Sequence, residues 1–528
     1  MSSSQLPIPG LGDMVLGTPH RPSSAPSPDS TLSPRPTDVV LGFQPSQYQR
    51  AIFDWLSRGE GSCVVSAVPG SGKTTTLLKG TNYLPSHLRS RFLAFNRHIA
   101  EELSNRLPRH IKASTIHSLG LASICRRYRG MPNIDNRKYF QLVDRYLADK
   151  NVNYESQERR GLIELIKFTQ LTLTDPPNQQ ALKTLIHHYN LYQFRDLDFI
   201  ENAVYHILER GIQQASHRIS YSDMIWLPCI LDLTVNSYDF LCIDEAQDLN
   251  RAQLQIVLKA HAQGARGIYV GDAHQAIMGF CAADHRSIET IISTTNAMRL
   301  PLSICYRCPT SHIELANKIY PVIEPRHGAP VGTITEIGKS EIPKLVKERD
   351  LIVCRCFYPL IKTYFDLLCA GIKAKVRNKD IIPQLFSLLE QIVGEGENDY
   401  SPSEFTDILT DWYTQRKKEM MEDEVEMMII VGLHDRIQTL NAIYVGSQCV
   451  NTGELREAIA NLSGESKNAV NLTTIHGAKG LEANRVFHLR PDLVPHPRAT
   501  KDWEKTQENN LEFVALTRAR TDLFLAKG

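Results

Sequence analysis

Neither sign of charge predominates in this sequence: 59 Lys and Arg face 58 Asp and Glu over 528 residues. That balance excludes a protein that coats nucleic acid through bulk positive charge. It still allows an enzyme whose basic residues line one channel. No uncharged apolar run approaches the roughly 18 residues needed to span a bilayer, so no membrane partner is expected. The N-terminus shows no apolar signal core, and Asp13 and Asp29 argue against an Arg-rich transit peptide. Cysteine is scarce, 11 in all, and most of it sits in apolar strand-like runs such as SCVVSAV and FLCID. Such thiols are expected to be buried and reduced. A hydrophobic content of 42% excludes disorder along the whole chain, and the composition excludes collagen-like or disulfide-knot scaffolds. The expectation is an intracellular protein of several domains, in cytoplasm or nucleoid, or in the nucleus of a eukaryotic cell.

Residues 1–38 are rich in Pro and Ser and nearly devoid of aromatic or paired aliphatic residues. Such a stretch cannot bury enough surface to offset its ordering entropy and is expected to be a disordered, solvated tail. A protein partner or a phosphorylation site in this tail is the alternative. Beyond it, apolar runs stop repeatedly at polar, Gly-rich or acidic clusters: SCVVSAV before PGSGKTT, FLCI before DEAQD, GIYV before GDAHQ, NLTTI before HGAKGLE. Strands alternating with helices predict an α/β fold with parallel sheets and ligands at the carboxyl ends of the strands. Two stretches, about 121–219 and 380–465, show helical periodicity only and are expected to be insertions. The Met-rich run EMMEDEVEMM in the second is expected to serve packing.

AVPGSGKT is a Walker A loop between an apolar strand and a helix. Ala67, Val68, Pro69, Gly70, Ser71, Gly72, Lys73 and Thr74 form the loop, and the helix is expected to begin TTTLLKG, with Thr74 and Thr75. Backbone N–H groups there can wrap a phosphate at a helix N-terminus. Lys73 is placed to reach the β- and γ-phosphates and the Thr74 hydroxyl to ligate Mg²⁺. Asp244 and Glu245 emerge from the strand DFLCI. Asp244 can hold Mg²⁺ through water, and Glu245 can orient and deprotonate the attacking water. The pair of motifs signals nucleoside triphosphate hydrolysis.

DEAQD, GDAHQAIMGF, LPLSICYRCP, TTIHGAKGLE and EFVALTRAR, in this order, resemble motifs II to VI of the UvrD/Rep-like superfamily-one DNA helicases. PSQYQRAIF resembles their Q motif, and LAFNRHIAEEL and ASTIHSLG resemble the two short motifs after the P-loop. The FNRHIA and GDAHQ variants are similar to the F-box DNA helicase branch, although no F-box is evident. The resemblance implies two RecA-like domains with ATP between them. The first would comprise 39–120 and 220–298, interrupted by 121–219; the second would comprise 299–379 and 466–528, interrupted by 380–465. By the same resemblance Gln49 reads the adenine edge, Tyr306 stacks on the ring, and Gln275 senses the γ-phosphate. Arg307 and Arg518 would be arginine fingers, and Glu482 would meet the ribose or the closing interface.

The resemblance also implies a DNA track through Asn96, Arg97, Thr115, His117, Thr474 and His476, with Phe280 stacking on a base. The chain departs from the family pattern at Cys281, where Arg is common, and at Met278, where Tyr is frequent. Both changes bear on one DNA contact. Cys305-Tyr-Arg-Cys308 and Cys354-Arg-Cys356 are not expected to hold zinc, because the second pair lacks the usual two-residue spacer. The expected activity is an ATP-dependent helicase or translocase moving 3′→5′ on single-stranded DNA, engaging junctions of single and double strand. One alternative strips proteins from DNA with little unwinding. The other is a non-catalytic, nucleotide-dependent DNA-binding scaffold.

Overall fold

A computed structural model describes residues 43–528 except 95–96, 153–155, 190–193, 195, 278–286, 378–380, 395, 397, 423–426 and 463–467. The expected tail at 1–38 lies outside the described residues. Two six-stranded sheets, each with parallel pairing throughout, organise the chain. The first contains β1 (Ser62–Ala67), β2 (Ser90–Ala94), β3 (Ile111–Thr115), β4 (Tyr238–Ile243), β5 (His261–Gly271) and β6 (Met298–Leu302), in the order β3-β2-β4-β5-β1-β6. The second contains β7 (Thr333–Gly338), β8 (Leu351–Cys354), β9 (Ala374–Val376), β10 (Val470–Thr474), β11 (Ala483–Leu489) and β12 (Ala519–Lys527), in the order β7-β12-β11-β8-β10-β9.

The apolar runs form strands because both faces of each sheet are covered. On β1, Cys63 and Val65 join a core under one face while Val64 joins the core on the other, the alternation that a pleated strand imposes. Helix α1 (Gln47–Arg58) starts at a reciprocal capping box between Ser46 and Gln49 and buries Ile52, Phe53, Trp55 and Leu56. Helix α2 (Lys73–Gly80) follows the Walker loop directly.

The stretch expected to be purely helical at 121–219 holds four helices, α3 (Lys138–Asp149), α4 (Ser156–Thr172), α5 (Gln179–Tyr189) and α6 (Leu197–Gln213). It also contains strand structure, a correction to the helix-only expectation. Asn133–Ile134 pairs in parallel with Arg218–Ile219 and ties the two ends of the stretch together. Two-residue strands are too short to show a periodicity in sequence. The helix Ile116–Tyr128 runs unbroken through residue 121, with Leu119 in the core of the first sheet and Ile124 in the core of the helical stretch. A fully buried Lys138–Asp223 ion pair of 2.6 Å fastens α3 to the helix that leads back into the sheet. Tyr139 and Gln170 satisfy the other carboxylate oxygen, as a buried charge requires.

After β9 the second helical stretch contains α8 (Ile381–Val393), α9 (Pro402–Glu422), α10 (Met427–Gly446) and α11 (Thr452–Asn461). It packs on helix α7 (Phe357–Cys369) through Tyr444, Leu440 and Leu385, part of one continuous core with β8 and β10. Helix α12 (Asp502–Leu516) precedes the last strand. No described helix is long and apolar enough to cross a membrane. Six of the ten described cysteines are buried, and all ten are free thiols.

Candidate nucleotide site and nucleic-acid interface

Strands β4, β5 and β1 are neighbours, so their carboxyl ends bring three sequence clusters to one place. The Walker loop leaves β1 with Gly70 at φ 68° and Gly72 at φ 76°, left-handed conformations that glycine adopts without strain. A Cβ on Gly70 would lie 2.5 Å from Cβ of Arg307, so the segment after β6 approaches the loop backbone at this point. The Tyr306 N–H confirms that approach, donating to the Gly70 carbonyl at 2.9 Å. Ser71 Oγ is buried with no protein partner among the described residues, an orphan that suits an anion in the loop.

Thr74 Oγ1 donates to Asp244 Oδ2 at 2.9 Å, which sets the two expected metal-binding oxygens side by side. Burial and the adjacent Glu245 charge push the Asp244 carboxyl up to about 6. Such a carboxylate fits a divalent cation, which would supply the missing positive charge. Lys73 Nζ stands 3.5 Å from Glu245 Oε1. Burial opposes the ammonium charge, but Glu245, Asp272 and Asp244 outweigh it and raise its pKa, so Lys73 stays cationic. Burial likewise opposes the Glu245 charge, and Lys73 and the Gln247 amide reverse that and hold its pKa low.

Glu245 itself has φ 54°, a left-handed conformation that costs a non-glycine residue on the order of 1 kcal/mol or more. Its N–H donates to Asp244 Oδ1 at 2.9 Å, and its Oε2 accepts from Gln247 Nε2 at 2.6 Å. Gln247 is 2% exposed and accepts from the Asp272 N–H at 3.1 Å, linking the ends of β4 and β5. Gln247 lies in DEAQD and Asp272 in GDAHQ, and nothing in the sequence marks either as a site residue. An amide carries no charge signature, and only the fold shows where it points.

Gln275 is buried and bonded at both ends of its amide. Nε2 donates to Asp272 Oδ2 at 2.5 Å, and Oε1 accepts from Arg518 Nη2 at 3.2 Å. Arg518 is 1% exposed; burial lowers its pKa to about 10, which leaves it charged at neutral pH. Arg307 donates to a Glu482 carboxylate oxygen and, at 3.2 Å, to the Thr517 carbonyl. Arg520 takes the second oxygen of Glu482, so both carboxylate oxygens of this residue are engaged by arginines. Lys479, not anticipated from sequence, spans the cleft to Asp248 Oδ1 at 2.7 Å and the Gln275 carbonyl at 2.6 Å. Tyr306 is 42% exposed, with its hydroxyl 3.5 Å from Gln49 Oε1. Gln49 Nε2 donates to Thr76 Oγ1 at 3.0 Å and keeps one further proton.

The cleft between the two sheets has a volume of about 1200 Å³ and is lined by the loop, Glu245, Gln275, Arg307, Glu482 and Arg518. Thr474 and His476 line it too, and burial pushes the His476 imidazole down to about 3. Other residues expected on a DNA track make contacts of their own. Thr115 caps a helix by accepting from the Ser118 N–H at 3.2 Å. His117 stacks on Tyr221 at 4.1 Å, and burial lowers its pKa to about 4. Arg97 is exposed and pairs with Glu101 on its own helix at 2.7 Å. Neither Thr115, His117 nor Arg97 lines the cleft. Asn96, Met278, Phe280 and Cys281 lie outside the described residues.

Two parallel sheets with a Walker loop, paired acids and facing arginines in the cleft define a P-loop nucleotide-binding protein. Residues 48–296 match the family model of the UvrD/REP helicase N-terminal domain. It is 22% identical over 513 residues to F-box DNA helicase protein 1 of Schizosaccharomyces pombe, a match covering 87% of this chain and 55% of that protein. It is 25% identical over 298 residues to the ATP-dependent DNA helicase Rep of Salmonella typhimurium, covering 49% of this chain and 40% of Rep. It is 22% identical over 602 residues to the ATP-dependent DNA helicase PcrA of Staphylococcus aureus, covering 88% and 81%. The chain thus spans about half the length of the first two relatives and most of the third.

Proposed function

We propose that the protein is an ATP-hydrolysing DNA helicase or translocase that moves 3′→5′ on single-stranded DNA and acts at junctions of single and double strand. The observation that carries this reading is the convergence of Lys73, Glu245, Gln275 and Arg518 across one cleft, with the last residue supplied by the second unit. ATP is the substrate, and its phosphates would lie in the Walker loop against Lys73 and the orphaned Ser71 hydroxyl. Thr74 and Asp244 would hold Mg²⁺, which when bound spreads the phosphate charge.

Glu245, held deprotonated by Lys73 and aimed by Gln247, accepts the proton of the attacking water. Arg518 and Arg307 supply positive charge from the second unit as charge grows on the transferring phosphoryl group. Their guanidinium groups answer to the γ-phosphate only when the cleft is closed, so hydrolysis alternates with opening of the two units. A strand lying against Thr474 and His476 would then be advanced by each closure. The family relatives named as DNA helicases support DNA as the track. The test is ATP turnover with and without single-stranded DNA, followed by unwinding of duplexes bearing either a 3′ or a 5′ tail. DNA-stimulated turnover with opening of the 3′-tailed duplex is expected.

A further inference from the structure

The cleft does not end at the nucleotide site. It continues past Thr474 to the second helical stretch, where residues outside every motif line it. Strands β8, β10 and β9 are neighbours in the second sheet, and their carboxyl ends present Arg355, Thr474 and Arg377 in a row to this cleft. Ligands of parallel sheets gather at such ends.

The two arginines differ in what they already hold. Arg355 forms a forked pair with Glu508, Nη2 to Oε1 at 2.7 Å and Nε to Oε1 at 2.9 Å. Arg377 is exposed, and no carboxylate among the described residues pairs with its guanidinium. Across from it, α10 contributes Arg436, which lies near the Asp435 and Glu164 carboxylates and donates to Gln384 Oε1 at 3.3 Å.

Arg436 is fixed there by its neighbour. The Asp435 carboxylate accepts from the N–H groups of Phe357 at 2.7 Å and Tyr358 at 2.9 Å, which cap the start of α7. The helical stretch is thereby docked on the sheet with Arg436 facing the cleft. Over its whole length the cleft is lined by seven Lys and Arg side chains against four Asp and Glu, in a chain of net charge +1. A local excess of this kind in a concave site attracts a polyanion.

We propose that Arg377 and Arg436 bind backbone phosphates of single-stranded DNA, extending its track from the second sheet onto the second helical stretch. This rests on the DNA reading given above. Guanidinium groups match phosphate oxygens in fork geometry, and contacts of this type fix position without reading sequence. They would give the short helical stretch a direct hold on the strand that the motifs themselves do not supply.

The test measures anisotropy of a labelled oligothymidylate bound to the full chain, between about 50 and 200 mM salt. Each phosphate contact to a single strand contributes about 0.7 to the slope of log K against log salt. Arg377→Ala and Arg436→Ala are each expected to flatten the slope by about 0.7, and the double variant by about 1.4, with weaker binding at low salt. Arg377→Lys and Arg436→Lys should retain the wild-type slope. Thermal melting identifies variants that fail to fold. Should Arg436→Ala be one of them, Arg377→Ala and Arg436→Lys decide the matter, since exposed Arg377 has no side-chain partner among the described residues. Wild-type binding with an unchanged slope in the folded alanine variants would overturn this proposal and leave the DNA reading standing. Failure of the wild type to bind oligothymidylate at any salt would overturn both.

Discussion

Arg518 Nη2 donates to Gln275 Oε1 at 3.2 Å, joining side chains that stand 243 residues apart on opposite sides of the cleft. Arg518 is also anchored locally, Nε donating to the Val514 carbonyl at 2.8 Å and Nη2 to Thr517 Oγ1 at 2.9 Å. Gln275 is anchored in turn by Asp272. The pair is therefore a direct mechanical link between the segment after β5 and the helix–strand junction before β12. Any movement of one unit on the other must change it.

Gln275→Ala breaks this link while leaving Lys73, Asp244 and Glu245 in place. Nucleotide affinity is expected to change by no more than a few fold. Turnover at saturating ATP should fall roughly 100-fold, the usual effect of losing one preorganised polar group around the transition state. DNA should no longer accelerate it. Steady-state ATPase with and without DNA, beside equilibrium nucleotide binding, checks each part.

Glu245→Gln retains the shape of the side chain and its contact with Gln247 but cannot accept a proton. Binding of ATP should persist, with hydrolysis reduced by roughly 10²- to 10⁴-fold. Single-turnover hydrolysis on protein already loaded with nucleotide separates the two. Loss of nucleotide binding would assign Glu245 a structural task instead.

Gln247→Leu removes the 2.6 Å bond that aims Glu245 and the 3.1 Å bond from the Asp272 N–H. A hydrogen bond to a charged group contributes about 1.5–3 kcal/mol. If that energy orients the base, kcat should fall about ten- to a hundred-fold with KM little changed. A rise in KM alone would show that Gln247 shapes the phosphate cradle instead.

His488 lies on β11, 1% exposed, with neither ring nitrogen bonded among the described residues. Burial pushes its pKa down to about 4 from 6.5. The unfolded chain therefore binds a proton at a pH where the folded one does not. The associated stability is whole above pH 6.5 and is lost as pH falls toward 4, by about 3 kcal/mol in total. Chemical denaturation of His488→Leu across this range should show a shallower decline than the wild type.

Much of this site could be located in the sequence because each cluster proposed to be catalytic ends an apolar strand. SCVVSAV, FLCI and GIYV are buried on both sides, so their patterns mark β1, β4 and β5, and their ends mark Lys73, Glu245 and Gln275. What was not legible depends on proximity across the fold. Gln247 has no charge to betray it, and Lys479 finds Asp248 only through a contact 231 residues long. The short parallel pair Asn133–Ile134 with Arg218–Ile219 has too few residues for a pattern. The helix cap that Thr115 forms and the stack of His117 on Tyr221 are likewise contacts that a linear motif does not encode.

The central claim is that ATP hydrolysis in this cleft is coupled to single-stranded DNA. The most direct measurement is the ATPase rate of the wild-type chain titrated with oligothymidylate, with Lys73→Ala as the inactive reference. The account predicts a saturable rise in turnover with DNA, absent from Lys73→Ala, and opening of 3′-tailed but not 5′-tailed duplex. A turnover rate indifferent to DNA would contradict it.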